Sequence, residues 1–270
     1  MTFCNLIRHK KRKKDVSASG IVALKHFLLT KFLKMIGKLI ASGFGDFLNL
    51  FYPDPCLLCQ NSLQNGEELI CTACRLQLPE TGQHRGDALM AGLTKFAGKV
   101  PVEFVYAYLY FTKRGKTQRL IHALKYRGHK EVGHLLGRWY GYQLKTDNQL
   151  NEHIDLIVSV PLHPAKLRQR GYNQSDWIAR GLSEVLEIPW SDRALTRSQY
   201  TISQTGKDRM ERWENVSNVF QVGEPDLVAN KRILLVDDVL TTGATLEACT
   251  ATLLAANSRS VGIITAAATR

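Results

Sequence analysis

Residues 233–245, ILLVDDVLTTGAT, constrain the fold of this chain more than any other stretch. Four apolar residues in an unbroken row, with no polar alternation, belong to a strand covered on both faces, as in a parallel sheet flanked by helices. The row then stops at two adjacent aspartates, Asp237 and Asp238. Carboxylates at the end of a buried strand are costly unless a partner answers them. The carboxyl edge of an open parallel sheet is also where such folds bind ligands.

The rest of the chain fits the alternation this strand implies. VEFVYAYLYF (102–111) is β-branched and aromatic, IDLIVSV (154–160) is a short continuous apolar run, and VGIITAAA (261–268) supplies a last strand. Helical spacing runs over 116–127, with Leu120, Ile121 and Leu124 on one face, and over 131–144, with Leu135, Leu136 and Trp139. It returns at 174–187 and 244–256. Strand–helix alternation predicts an α/β body over 100–270 built on a parallel sheet. Before it, 82–100 reads as a glycine-rich linker, 51–80 as a short cysteine module and 1–50 as a basic, amphipathic extension. The polar stretch 196–218 carries Arg197, Lys207, Arg209 and Arg212 and lacks sheet periodicity. Irregular inserts of that length in compact domains are functional or disordered.

The net charge of +12 suggests a nucleic-acid partner until it is located. Residues 1–38 carry ten Lys/Arg against the single acid Asp15, which leaves only +3 on the remainder. The basicity belongs to the extension, and the body by itself does not demand a polyanion. Residues 21–40 approach a membrane span, but Lys25, Lys31, Lys34 and Lys38 interrupt them, each costing about 2.5–3.5 kcal/mol near a bilayer centre. Apolar positions 21, 24, 28, 32, 35 and 39 instead fit an amphipathic helix, suited to weak contact with a membrane surface or to packing on the body. An alternative reading starts the native chain at Met35, making 1–34 a dispensable leader. No secretory signal stands out, and the expected setting is reducing and cytoplasmic.

Four of the six cysteines form two CxxC pairs, Cys56/Cys59 and Cys71/Cys74, eleven residues apart. Two such knuckles at that spacing make a closed tetrahedral Cys4 site, the signature of a zinc ribbon. The bland alternative is a pair of ordinary buried cysteines. A Cys4 shell leaves no open position for water, so the expected zinc is structural, and its binding would supply folding energy that a module of this size lacks. Cys249, in a helical pattern, reads as a buried core residue.

Two acids at a strand end can accept hydrogen bonds from vicinal hydroxyls or hold a magnesium ion. TTGAT (241–245) opens the next helix. Its backbone N–H groups, with the hydroxyls of Thr241, Thr242 and Thr245, form an anion cradle, and Gly243 lets the backbone come close. A diol-binding acid pair beside a phosphate loop describes ribose 5-phosphate.

ILLVDDVLTTGAT resembles the phosphoribosyl-pyrophosphate (PRPP) motif of type I phosphoribosyltransferases. The Cys4 module in front, KYRGHKEV (125–132) and PLHPAKLRQRGYNQS (161–175) narrow the resemblance to the competence protein F family (ComF/GntX-type) over about 45–270. The resemblance implies a parallel-sheet type I phosphoribosyltransferase fold with an N-terminal zinc ribbon. It implies that Asp237 and Asp238 bind the ribose hydroxyls and magnesium and are the catalytic acids. Thr241, Thr242, Gly243, Ala244 and Thr245 would hold the 5-phosphate, and Val160, Pro161 and Leu162 would take the place of the pyrophosphate loop. Arg170, Gly171, Tyr172, Asn173 and Gln174 match the family's RGxNQ signature, and 196–218 stands where the hood over PRPP belongs. Lys125 and Arg127 either reach pyrophosphate or are a solvated helix-end pair. The implied chemistry is displacement of pyrophosphate from PRPP by an acceptor nitrogen, in a protein of natural competence and DNA uptake with a helicase-like partner. The rival reading is a non-catalytic module that senses PRPP or binds single-stranded DNA. Among the histidines His163, beside the β-strand turn, is the best functional candidate. Trp177 reads as core and Trp213 as a stacking residue.

Overall fold

The computed structural model describes residues 54–85, 90–147, 150, 154–197 and 219–269, and Cys56–Arg270 forms one compact unit. The basic extension, the surface helix expected at 21–40, and Lys207, Arg209, Arg212 and Trp213 lie outside the described residues.

Five strands make one parallel sheet: β1 (Val105–Phe111), β2 (Leu156–Ser159), β3 (Trp190–Ser191), β6 (Arg232–Leu240) and β7 (Ser260–Thr269). Their order is β1-β7-β6-β2-β3. Short β4 (Leu195–Arg197) and β5 (Phe220–Val222) pair antiparallel beside it. The expected apolar runs are the central strands: Val158 sits opposite Leu235, and Leu235 opposite Ile263. Ile233, Leu234, Leu235 and Val236 are all fully buried, as a strand covered on both faces requires.

The helices divide between the faces. On one lie α3 (Lys116–Tyr126), α4 (Glu131–Thr146) and α6 (Gln174–Leu186), packed on Leu234, Val236, Tyr106 and Tyr108. On the other lies α8 (Ala244–Ala255), whose Leu246, Cys249 and Leu253 cover Ile233, Leu235 and Ile263. Helices α4 and α6 meet backbone to backbone through glycines. A Cβ at Gly137 would fall 2.2 Å from the Ile178 carbonyl oxygen, and one at Gly181 would fall 2.2 Å from that of His134.

The cysteine segment, with the short α1 (Thr72–Leu76), shares this core. Cys56, Leu58, Ile70 and Cys74 belong to the same buried cluster as Leu120 and Leu124 of α3. The reading of 82–100 as a linker is corrected. Gln83 and His84 are buried, Gln83 Oε1 accepts from the Ala107 amide at 2.8 Å, and Thr81 Oγ1 donates to the Ala107 carbonyl. Residues 79–81 pair with edge strand β1, through Tyr110 N to Pro79 O and Thr81 N to Tyr108 O. The α2 turn (Met90–Leu93) leads to fully buried Phe96. Small and polar residues imitated a linker because their partners are main-chain groups of a distant strand edge, which must be covered.

The connection from β2 leads through α5 (Pro164–Arg170) and α6 outward to β3, whereas that from β6 leads through α8 the opposite way to β7. The chain therefore reverses strand order between β2 and β6. The crevice beyond the carboxyl ends at such a switch is where open α/β sheets bind ligands.

Candidate functional site

Asp237 and Asp238 lie at that switch, near the end of β6. Alternation sends them to opposite faces. Asp238 meets Lys125, from the last turn of α3, with Nζ 2.8 Å from Oδ1. Asp237 Oδ1 accepts two hydrogen bonds, from Ser175 Oγ at 2.9 Å and from the Asp238 amide at 2.8 Å. Burial, and then the neighbouring Asp238 carboxylate, raise the Asp237 carboxyl to about 7; the Asp238 amide, Ser175 and Lys125 oppose the rise. A carboxyl poised there changes charge near neutrality, as perturbed groups in functional clefts do.

The loop after β6 leaves its hydroxyls to solvent. Thr241, Thr242, Ala244 and Thr245 are exposed, and Gly243 is buried. Gly243 caps α8 at φ 86° in the left-handed region, and a Cβ there would lie 3.2 Å from the Phe96 ring. Conformation and space both call for glycine. Lys95 Nζ donates to the Thr241 carbonyl at 2.8 Å. A twelve-residue helix opening on an exposed threonine loop with a lysine beside it suits a phosphate.

The turn after β2 is fixed from two sides. The Val160 amide donates to the Val236 carbonyl at 2.9 Å, and Asn173 Nδ2 donates to the Val160 carbonyl at 3.0 Å. Asn173 is also the N-cap of α6, and its Nδ2 reaches Asp176 Oδ1 at 2.7 Å. Ser159 Oγ donates to the same carboxylate oxygen at 2.6 Å, and burial raises the Asp176 carboxyl. Val160 thus stands beside β6, and Pro161 and Leu162 follow it in the turn. His163 caps α5, its Nδ1 accepting from the Ala165 amide at 3.2 Å; its place in the turn is structural.

The RGYNQ segment joins this site to α3. Arg170 donates to Gln174 Oε1 at 2.7 Å and lies 5.1 Å from the Tyr126 ring centre, while Tyr172 OH donates to the Leu124 carbonyl. Lys125, Tyr126, Gly128, Gln169, Arg170 and Tyr172 line a cleft of about 140 Å³. This cleft, like larger hollows of about 450 Å³ along 93–102 and about 240 Å³ between the cysteine segment and α4, is not lined by Asp237, Asp238 or the Thr241–Thr245 loop. The two helix-end cations separate: Lys125 turns in to Asp238, and Arg127 is exposed. Trp177 is only half-buried, with Lys130 and Arg180 over its ring at 4.7 and 5.0 Å.

At the other end of α3, the Sγ atoms of Cys56, Cys59, Cys71 and Cys74 all lie within 4.8 Å of one another. Burial works against the Cys56 thiolate, but amide hydrogen bonds from Cys59, Cys71 and Leu58 outweigh it and lower the thiol to about 6. Burial and the neighbouring thiols push Cys74 up to about 12. One thiol in four that ionises readily, held by amides among three close partners, is a donor set suited to a metal ion.

Ser175, Asp176 and Lys95 were not singled out from sequence. The only available signal was Ser175 and Asp176 directly following the RGYNQ run; nothing marked Lys95.

Residues 178–270 match the family model described as phosphoribosyl transferase domain. DNA utilization protein YhgH of Escherichia coli (strain K12) is 36% identical over 132 residues, 47% of this chain and 56% of that protein. The chain therefore spans a little over half the length of that relative. Competence protein F of Haemophilus influenzae is 27% identical over 206 residues, 73% of this chain and 89% of that protein. A solved structure of the allosteric regulatory enzyme of purine biosynthesis aligns over 49% of this chain and 26% of its own, at 19% identity and a TM-score of 0.36, a likeness too slight to bear on the fold.

A parallel sheet that reverses order at an acid pair, followed by a threonine loop and matched by that family model, defines a phosphoribosyltransferase-like protein. Within that class the relatives to which it is similar, competence protein F and DNA utilization protein YhgH, support a ComF-type chain.

Proposed function

We propose that this chain binds PRPP with magnesium at the β2/β6 crevice and transfers its phosphoribosyl group to an acceptor nitrogen. One observation carries the reading: Asp237, Asp238 and the exposed Thr241–Thr245 loop share one strand end at the point where strand order reverses. The ribose hydroxyls would donate to the acid pair, and the 5-phosphate would take the α8 amides and the threonine hydroxyls. The Val160–Leu162 turn would face the pyrophosphate, with Lys125, Arg127 and Arg170 as nearby cations. Asp237 and Asp238 are the residues that would hold magnesium, which supplies positive charge against the leaving pyrophosphate. In the transfer, a nitrogen lone pair forms the bond to the anomeric carbon as the bond to pyrophosphate breaks. Lys125 and Arg170 favour the charge that collects on the leaving group. In the same reading Cys56, Cys59, Cys71 and Cys74 would hold a structural zinc.

The names of the relatives support a setting in DNA utilisation and competence; single-stranded DNA and a helicase-like protein are partners that this reading adds. Among the described residues no helix is long and apolar enough to cross a membrane. PRPP with magnesium should raise the melting temperature of the wild type over its own ligand-free value, and should not do so for the Asp237→Asn/Asp238→Asn double variant. Equal shifts in both would remove the assignment.

A further inference from the structure

Three aromatic rings, each faced by a cation, follow one another from the end of α3 to β3. Arg170 lies 5.1 Å from the Tyr126 ring centre, Lys130 and Arg180 lie 4.7 and 5.0 Å from that of Trp177, and Arg180 also lies 4.9 Å from that of Trp190. Trp177 and Arg180 are neighbours on one face of α6, three positions apart. Arg170 reaches the start of the same helix, donating to Gln174 Oε1 at 2.7 Å. Tyr126 is 64% exposed, and both tryptophans are half-buried. The α5 helix, which ends at Arg170, buries none of its residues and leaves Lys166 and Arg168 in solvent. Among the described residues none of Lys130, Lys166, Arg168, Arg170 and Arg180 is in an ion pair. The nearby Asp176 is engaged by Ser159 and Asn173, and Glu131 is an exposed acid beside Lys130.

Unpaired cations call for a polyanion, and ring faces at the surface call for flat groups that stack. A single-stranded nucleic acid offers both at every residue, because its bases are free to stack on aromatic rings and guanidinium planes. A duplex hides its base faces, and an anionic membrane has none. We propose that the strip from Tyr126 to Trp190 docks a single-stranded nucleic acid, and that a strand seated there takes a cation pyrophosphate would use, so that strand and PRPP weaken each other's binding. The docking surface stands on the strip alone; the antagonism rests on the PRPP reading. Its basis is the inner end of the strip. Tyr126 and Arg170 line the 140 Å³ cleft together with Lys125, whose Nζ lies 2.8 Å from Asp238. A backbone phosphate on Arg170 and a pyrophosphate in the crevice would share that guanidinium and repel one another. Such coupling is reciprocal: each ligand lowers the affinity of the other by the same factor.

The test is binding of a labelled thymidine oligonucleotide, about fifteen nucleotides long, to the full chain, followed by anisotropy and by quenching of tryptophan emission. Wild type should bind, lose emission, and weaken steeply as salt rises. Trp177→Leu should lose about tenfold in affinity and most of the quenching. Arg180→Gln should lower the slope of log affinity against log salt by about 0.7, the share of one phosphate contact on a single strand. Its side chain is exposed, which keeps the comparison available should the Trp177 variant not fold. Neither residue lines the cleft, so both variants should keep the wild-type rise in melting temperature with PRPP and magnesium. At constant ionic strength, saturating PRPP with magnesium should weaken oligonucleotide binding to wild type several-fold. Wild-type affinity in both variants overturns the docking surface. So does equal binding of a duplex, or binding of anionic vesicles with none of the oligonucleotide. A PRPP shift in melting temperature with oligonucleotide affinity unchanged overturns the antagonism. If oligonucleotide binding depends on the strip but wild type shows no PRPP shift, the surface stands, and the PRPP reading falls together with the antagonism.

Discussion

Lys125 Nζ lies 2.8 Å from Asp238 Oδ1, joining residues 113 positions apart, with the two side chains 22% and 12% exposed. The pair ties the end of α3 to the strand end that carries both acids. Lys125→Met should destabilise the ligand-free protein by about 2 kcal/mol, less than the ~3–5 kcal/mol of a fully buried pair broken on one side. It should also push the Asp237 carboxyl further up, because Lys125 acts against that rise. Urea unfolding at pH 8 checks the first effect. A stability equal to wild type would mean that water already screens the contact.

The ionisation of Asp237 predicts a pH dependence of stability. Its folded-state carboxyl is raised to about 7, against an ordinary value of 3.8. The folded state therefore binds more protons than the unfolded state between about pH 4 and 7. Stability from this group is fully present below about pH 4 and is lost as pH rises through 7. Asp237→Asn keeps an acceptor for Ser175 and removes the charge. Its melting temperature should exceed that of wild type at pH 8, and the difference should shrink by pH 5. Ligand-free thermal unfolding at both pH values measures it, and an identical difference at the two would contradict the assigned titration.

The acid pair and its loop were legible because they are contiguous: Asp237 to Thr245 is one strand end and one helix start, and local pattern suffices to read it. The central strands were legible for the same reason, since Leu156–Ser159 and Ile233–Val236 announce double-sided burial by their lack of alternation. The supports of the site were not legible. Ser175 meets Asp237 across 62 positions, and Lys95 meets the Thr241 carbonyl across 146. Short polar side chains in a helix cap and a lysine in a small-residue stretch look the same whether solvated or engaged. The reading of 82–100 failed for a related reason, because Gln83 serves a main-chain group of β1, whose edge position no local pattern reveals.

The contact between α4 and α6 leaves no room for a side chain. Gly181→Ala would place Cβ 2.2 Å from the His134 carbonyl oxygen and 2.8 Å from the Arg138 amide, backbone atoms that cannot swing aside. The helices must part, at about 2–3 kcal/mol. Gly128→Ala is the contrast: nothing lies within 4 Å of its Cβ, and only its φ of 77° resists, for about 1 kcal/mol. Urea midpoints of the two variants should fall in that order, and a reversal would mean that α4 and α6 separate without cost.

Metal removal should be felt beyond the cysteines. Arg119 Nη1 donates to the Leu58 carbonyl at 2.7 Å, and Lys116 Nζ lies 3.6 Å from Cys74 Sγ, so the start of α3 rests on the knuckles. Metal analysis should find about one zinc per chain, the stoichiometry of a Cys4 site, and little in Cys56→Ser/Cys59→Ser. That variant should melt at a lower temperature, with amide exchange accelerating in residues 116–121. Full zinc retention by the variant would exclude the four-thiol site.

Gly243 separates the phosphate loop from the acid pair as objects of mutation. Its φ of 86° and the Phe96 ring 3.2 Å from any added Cβ mean that Gly243→Ala must shift the loop, the ring or both. The acid pair is held instead by Ser175 and Lys125. Ribose 5-phosphate affinity should therefore fall about tenfold or more, the equivalent of one or two lost hydrogen bonds to a charged group, while the Asp237 midpoint stays where it is. Calorimetric titration with ribose 5-phosphate and carboxyl NMR on the same variant read the two separately. An unchanged affinity would show that the α8 amides do not hold the phosphate. A displaced Asp237 midpoint would show that loop and acids move as one.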